Sequence, residues 1–156
     1  MPSETDPMLS PAEARDLRRI AGIMIPPDAA LGVPGADDDL ILADIAHSLG
    51  RDAGDVRTAI VELAELAGGR FADLDADRAD TVAQAFLDAS SAAGVVLGRV
   101  ILQCYYRDDR VLLSLGMEPR PPFPKGHTVE QGDWSLLDPV RRRPKLWRDD
   151  RIAPNG

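Results

Sequence analysis

Apolar residues recur at spacings of three and four along most of the chain, the period of an α-helix with one buried face. Leu17, Ile20, Ala21 and Met24 share a face of a first helix. Ser10 can cap it, Pro11 suits its first position, and Glu13 completes a capping box. Pro26 and Pro27 stop it. "PPDAALGVPGADDD" reads as a loop from its Pro, Gly and Asp content, and Asp37 or Asp38 can cap the next helix. Leu40, Ile41, Ile45 and Leu49 predict that second helix, ending at Gly50. A third, starting near Asp52 or Asp55, carries Val56, Ile60, Leu63 and Ala67 and closes on Gly68-Gly69. Phe71 and Leu74 read as buried plugs before a helix capped by Asp75, with Val82, Phe86 and Ala89 as its stripe. From Ala92 to Cys104 the pattern is apolar nearly all round, which predicts a helix central to its bundle or covered by a partner. Gly94 and Gly98 allow another helix to come close; ordinary tight packing is the plainer reading, a dimer contact the sharper one. A short helix from Asp109 to Leu115 ends at Gly116.

After Gly116 the helical period fades. Seven of the 13 prolines lie in the last 40 residues, and no alternation long enough for a strand appears. Alanine and leucine dominate elsewhere, and β-branched runs are few, which favours helix over sheet. The expectation is an all-α fold: about five helices in an orthogonal or irregular bundle, with a long, irregular, Pro-rich C-terminal arm. Residues 1–9 read as a flexible N-terminus, 10–116 as the helical domain, and 117–156 as the arm.

Charge sharpens this division. The formal net charge of −8 argues against nucleic-acid binding, which needs a basic face to neutralise phosphates. Residues 1–116 hold 10 Lys and Arg against 20 Asp and Glu; residues 117–156 hold 8 against 6. An acidic body thus carries a mildly basic arm. Cys104 is the single cysteine, so no intrachain disulfide forms and folding needs no oxidising compartment. "MPSETDPMLSPAEARDL" lacks the basic and apolar regions of a secretory signal. In "RRIAGIMIPP" the apolar run is too short for a twin-arginine leader, and no stretch approaches the roughly 20 apolar residues of a membrane span. The expected location is cytoplasmic.

No catalytic set stands out. "GVPGADD" lacks the spacing and lysine of a phosphate loop. Asp44 and His47, three apart, could seed a metal site, but nothing in sequence completes it, and a surface carboxylate–histidine pair is the plainer reading. Cys104 lies in an apolar helix, where a buried inert thiol is expected; only tertiary structure could bring His127 to it. The acidic runs at Asp37–Asp39 and in "DLDADRAD" lack the glycine and distal glutamate of a calcium loop. Tyr105 and Tyr106, adjacent at a helix end, should point to different sides, one packing inward and one presenting its hydroxyl at an edge.

The arm holds Phe123, Trp134, Leu136, Leu137, Leu146 and Trp147, side chains too large and apolar for a disordered tail. It wraps its own bundle or lies across another protein. Tryptophan and arginine, here with Arg141, Arg142 and Arg143, are enriched in interface hot spots, and prolines with preset φ lower the entropy lost on docking.

Three segments together resemble the gluconate 2-dehydrogenase subunit 3 family. "LRRIAGIMIPPDAALGVPGADDDLILADI" is similar to its amphipathic helix running into Ile-Pro-x-Asp and a glycine-rich acidic turn. "RFADLDADRADTVAQAF" resembles its Phe-x-x-Leu before a helix, and "YYRDDRVLLSLGMEPRPP" its Tyr-Tyr and its Leu-Gly before a proline-rich exit. The resemblance spans Leu17 to Pro122. It implies a non-catalytic small subunit that binds and stabilises a larger FAD-dependent oxidoreductase of the glucose–methanol–choline (GMC) type, acting on a sugar, glycoside or alcohol. FAD would belong to the partner and no cofactor to this chain. The arm from Arg120 to Arg148 would embrace the flavoprotein, with Tyr105, Tyr106 and the aromatic, leucine and arginine residues just named as its contacts. Members often carry an export signal that this chain lacks, and Cys104 alone gives no basis for an interchain disulfide. The alternative is a stand-alone helical small-molecule-binding protein, with Cys104, Tyr105 and Tyr106 lining its cavity.

Overall fold

The computed structural model describes residues 9–119, Gly126 and 130–146. Among them there are helices and no strand; an isolated antiparallel bridge joins Asp28 and Val33. The chain divides into two compact units, Met1–Pro119 and Arg120–Gly156.

The first unit contains α1 (Pro11–Met24), α2 (Asp39–Ser48), α3 (Ala53–Ala67), α4 (Ala76–Ala89), α5 (Ala92–Tyr105) and α6 (Asp109–Ser114), with single 3-10 turns at Gly50–Asp52 and Phe71–Asp73. Together with α7 in the second unit this is more than the five anticipated; the six of the first unit correspond to segments read from sequence, the short Asp109 helix included, and α7 is the addition, too short to show an apolar stripe. Caps set the boundaries. The Ser10 side chain accepts from the Glu13 amide while Glu13 accepts from the Ser10 amide, so the capping box forms as read. Asp38, rather than Asp37, caps α2, and Asp75 caps α4. Asp52 precedes α3 without a side-chain cap and instead pairs with Arg99 at 2.9 Å. Gly68 closes α3 at φ +70°, a left-handed conformation that glycine adopts without a Cβ penalty.

α3 packs against α1, α4 and α5, and α2 packs against α5. The shared core includes Ile20, Ile41, Ile45, Leu49, Val56, Leu63, Phe71, Phe86, Leu97 and Ile101. Four expected core positions shift. Leu40 is 67% exposed, because Ile41 and Ile45 set the inward face of α2 and Leu40 sits about 100° from Ile41. Met24 and Leu74 are only partly buried. Ala89 is exposed while Ala79, Val82, Ala83 and Phe86 are buried: it is the last residue of α4, next to the left-handed Ser90 cap where the chain turns away into α5.

α5 is buried on one side. Ala93, Leu97, Val100, Ile101 and Cys104 are buried, but Val95 (59%) and Leu102 (43%) on its other side are exposed. Within this unit it packs on α2 and α3 but is not covered all round, which leaves only the second of the two expected arrangements, cover by a partner, for its open side.

The second unit is described from 130 to 146, apart from Gly126. Trp134–Leu137 forms a 3-10 turn that runs into α7 (Asp138–Arg141). The arm, read from sequence as irregular, is therefore partly helical. The Asp133 side chain accepts from the Ser135 amide at 3.0 Å, and Pro139 sits in the first turn of α7. Phe123, His127 and Trp147 lie outside the described residues. No single helix among the described residues is long and apolar enough to cross a membrane.

Candidate functional site

The residues that could carry chemistry are engaged in structural contacts. Asp44 does not pair with His47. It accepts from Arg107 Nε at 3.0 Å, and Arg107 Nη2 also reaches Ser48 Oγ at 2.6 Å and approaches Cys104 Sγ at 3.6 Å. Cys104 is buried; burial pushes its thiol pKa up, nearby Asp44 adds to this, and Arg107 opposes it. A raised pKa leaves little thiolate at neutral pH. No group of three or more His, Cys, Asp or Glu among the described residues could hold a metal ion.

The acidic runs serve caps and ion pairs. Arg110 Nη2 lies 2.7 Å from Asp38 Oδ1 and 2.8 Å from Asp108 Oδ2. Asp38 caps α2 and Asp108 caps α6, so one guanidinium ties two helix N-termini together. Its hydrogen bonds hold both carboxyls below their usual range. Arg18 pairs with Asp39, and Arg15 with Asp73.

Sequence reasoning missed Asp16. Its carboxylate is fully buried and accepts from the Ala72 amide at 2.8 Å and from Arg70 Nη1 at 3.3 Å, fastening α1 to the Phe71 turn. The signal was present: Asp16 falls four residues before Ile20, on the apolar face of α1, where a carboxylate must find partners.

Tyr105 and Tyr106 divide as their position implies. Tyr105 is buried, with burial raising its pKa, whereas Tyr106 is 53% exposed. Their rings meet edge to face at 5.3 Å.

In the second unit every described residue from 130 to 146 is exposed. Trp134, Leu136, Leu137, Val140 and Leu146 all present apolar surface to solvent. Trp134 Nε1 donates to Gln131 Oε1 at 3.2 Å. Arg141 pairs with Asp138 at 3.2 Å, Arg142 Nε donates to the Asp138 carbonyl, and Arg143 extends the basic run.

The described residues of the first unit form several grooves, among them these. One of about 620 Å³ lies between α1 and α2, lined by Leu9, Leu17, Leu42 and Ala46 with Arg15, Arg18 and His47. A second, of about 410 Å³, includes Arg15, Arg18, Arg19 and Asp37. The third, of about 430 Å³, is an apolar furrow between α4 and α5. Cys104, Tyr105 and Tyr106 line none of these three. Compared with protein-family profiles, curated proteins and solved structures, the chain finds no match.

Proposed function

We propose that the chain is a non-catalytic small subunit that binds and stabilises a larger FAD-dependent oxidoreductase of the GMC type, acting on a sugar, glycoside or alcohol in the cytoplasm. The carrying observation is the segment Trp134–Leu146: a capped helical turn with an exposed tryptophan, exposed leucines and a run of arginines, and no buried residue of its own. An isolated helix this short is unstable in water, so such a segment gains its order from a surface that covers it. The open side of α5 and the exposed Tyr106 add apolar area of the kind that marks protein contacts. The resemblance to gluconate 2-dehydrogenase subunit 3 proteins names the partner class and leaves FAD and the chemistry with that partner.

Co-expression with a candidate GMC-type flavoprotein from the same source, then gel filtration and a flavin absorbance scan, tests the reading. The expected result is a yellow heteromer, with the large subunit insoluble or flavin-free when made alone. Separate elution with a flavoprotein active by itself would overturn it.

The groove between α1 and α2 favours a second reading, a stand-alone protein that binds a small apolar anion between Leu17, Leu42 and the Arg15, Arg18 and His47 side chains. Native mass spectrometry of the purified chain tests it; a retained ligand supports it and clean apo protein removes it.

A further inference from the structure

Arg15, Arg18, Arg19, Gly22 and Ile23 follow one another on α1 at spacings of three and four, so they share one face of that helix. This face lines the groove of about 410 Å³, which Asp37 from the loop before α2 and Ala72 from the Phe71 turn complete. The charges in the groove are unequally engaged. Arg15 pairs with Asp73 at 3.4 Å, and Arg18 pairs with Asp39 and donates from Nη1 to the Asp37 carbonyl at 2.8 Å. Arg19 and the Asp37 carboxylate are left over. Arg19 is half-buried, and its Nε is shut from solvent with no acceptor among the described residues. No described side chain pairs with the Asp37 carboxylate, and the two leftover groups do not pair with each other. The fold nevertheless makes a seat for that carboxylate. A Cβ at Gly22 would stand 3.0 Å from Asp37 Cγ, and one at Gly35 would collide with Asp37 Oδ1.

A guanidinium and a carboxylate thus border one groove, each without a counter-charge, and a partly buried charge is costly until it finds one. A simple anion would satisfy Arg19 and be repelled by Asp37; a simple amine would do the reverse. A ligand carrying both charges matches both groups at once. We propose that this groove binds a small zwitterion of the α-amino acid class, its carboxylate on Arg19, its ammonium on Asp37 and an apolar side chain toward Ile23 and Ala72. A guanidinium takes a carboxylate through two parallel N–H bonds, and Arg19 breaks no existing bond in turning to make them. The volume is that of a small-ligand site. The proposal does not rest on the flavoprotein reading. Its site is also separate from the α1–α2 groove, although Arg15 and Arg18 border both.

The experiment is an NMR titration of the full, nitrogen-15-labelled chain with L-leucine at neutral pH. Two analogues run beside it: 4-methylpentanoate, which lacks the ammonium, and 3-methylbutylamine, which lacks the carboxylate. Leucine should shift the amide signals of Gly22, Ile23 and Ala72 saturably, and both analogues should bind at least about tenfold more weakly, because each leaves one charge of the site unmatched. Arg19→Gln should weaken leucine by at least about the same factor. Asp37→Asn removes the repulsion of a bare anion, so leucine and 4-methylpentanoate should then bind alike; circular dichroism checks that both variants fold. No saturable shift with millimolar leucine would overturn the proposal. Equal binding of leucine and 4-methylpentanoate by the unaltered chain would overturn it in favour of a general anion site. Shifts at Leu42 and Ala46 in place of Gly22 and Ala72, or binding indifferent to both substitutions, would overturn it by putting the ligand elsewhere.

Discussion

At the scale of single residues, Asp16 is the most consequential polar group in the core. Replacing it by Ala leaves the Ala72 amide without its acceptor and Arg70 without its ion pair. Loss of a buried charged acceptor costs about 2–4 kcal/mol, which urea unfolding of Asp16→Ala would show. Asp16→Asn keeps an oxygen for the Ala72 amide and should lose less. Arg110 sets an acid limit. Asp38 and Asp108 have folded pKa values below the ordinary 3.8 because Arg110 hydrogen-bonds their charged forms. A carboxyl depressed in the folded state contributes stability that is complete above its unfolded pKa and lost as pH falls through the lower folded value. The urea midpoint should therefore fall as pH drops from about 5 to about 3, and Arg110→Gln should flatten that slope. Cys104 behaves oppositely: with its thiol buried and its pKa raised, alkylation of the native chain should be slow and should accelerate sharply on unfolding. Fast labelling of folded protein would show that the thiol is reachable.

At the scale of elements, helix ends are where sequence and structure agree best. Ser10 with Glu13, Asp75 and Gly68 each mark a boundary that the backbone adopts, because a cap satisfies orphan amides or carbonyls using neighbours only a few residues away. Gly68→Ala at φ +70° should cost about 1 kcal/mol in thermal unfolding; a neutral result would mean that this turn rearranges freely. Inward faces were legible wherever the stripe is regular, as in α3, where Val56, Ile60, Leu63 and Ala67 are all buried. What the pattern could not give is which side of an all-apolar helix faces the core. That depends on the 110° bend between α4 and α5 and on Ser91, whose hydroxyl both caps α5 and donates to Glu62 of α3. The bend is made locally at Ser90 and Ser91, but the Ser91–Glu62 bond is a long-range choice with no local trace. The Trp134–Arg141 helical segment was missed for a different reason. Its signals, Asp133 as cap and Pro139 in the first turn, are too short to generate a period.

At the scale of the whole chain, function turns on whether the arm is part of the fold or an addition to it. The core cluster runs from Leu17 to Val111 and includes no described residue of the second unit. Burial of that apolar area supplies the drive for folding, so a chain ending at Pro119 should keep its helical content and unfold at nearly the same temperature as the full chain. The same truncation should abolish co-purification with the flavoprotein, because it removes Trp134, Leu136 and the arginine run together. Trp134→Ala alone should weaken that complex by about 2 kcal/mol if the indole anchors it. The two readouts separate the possibilities. Unchanged stability with lost binding makes the arm a dedicated recognition element. A large fall in unfolding temperature would make the arm structural and move the search for the partner's contact to the open side of α5 and to Tyr106. Stability and binding both unchanged would leave the arm without a part in the complex, and the body would have to hold the flavoprotein by itself.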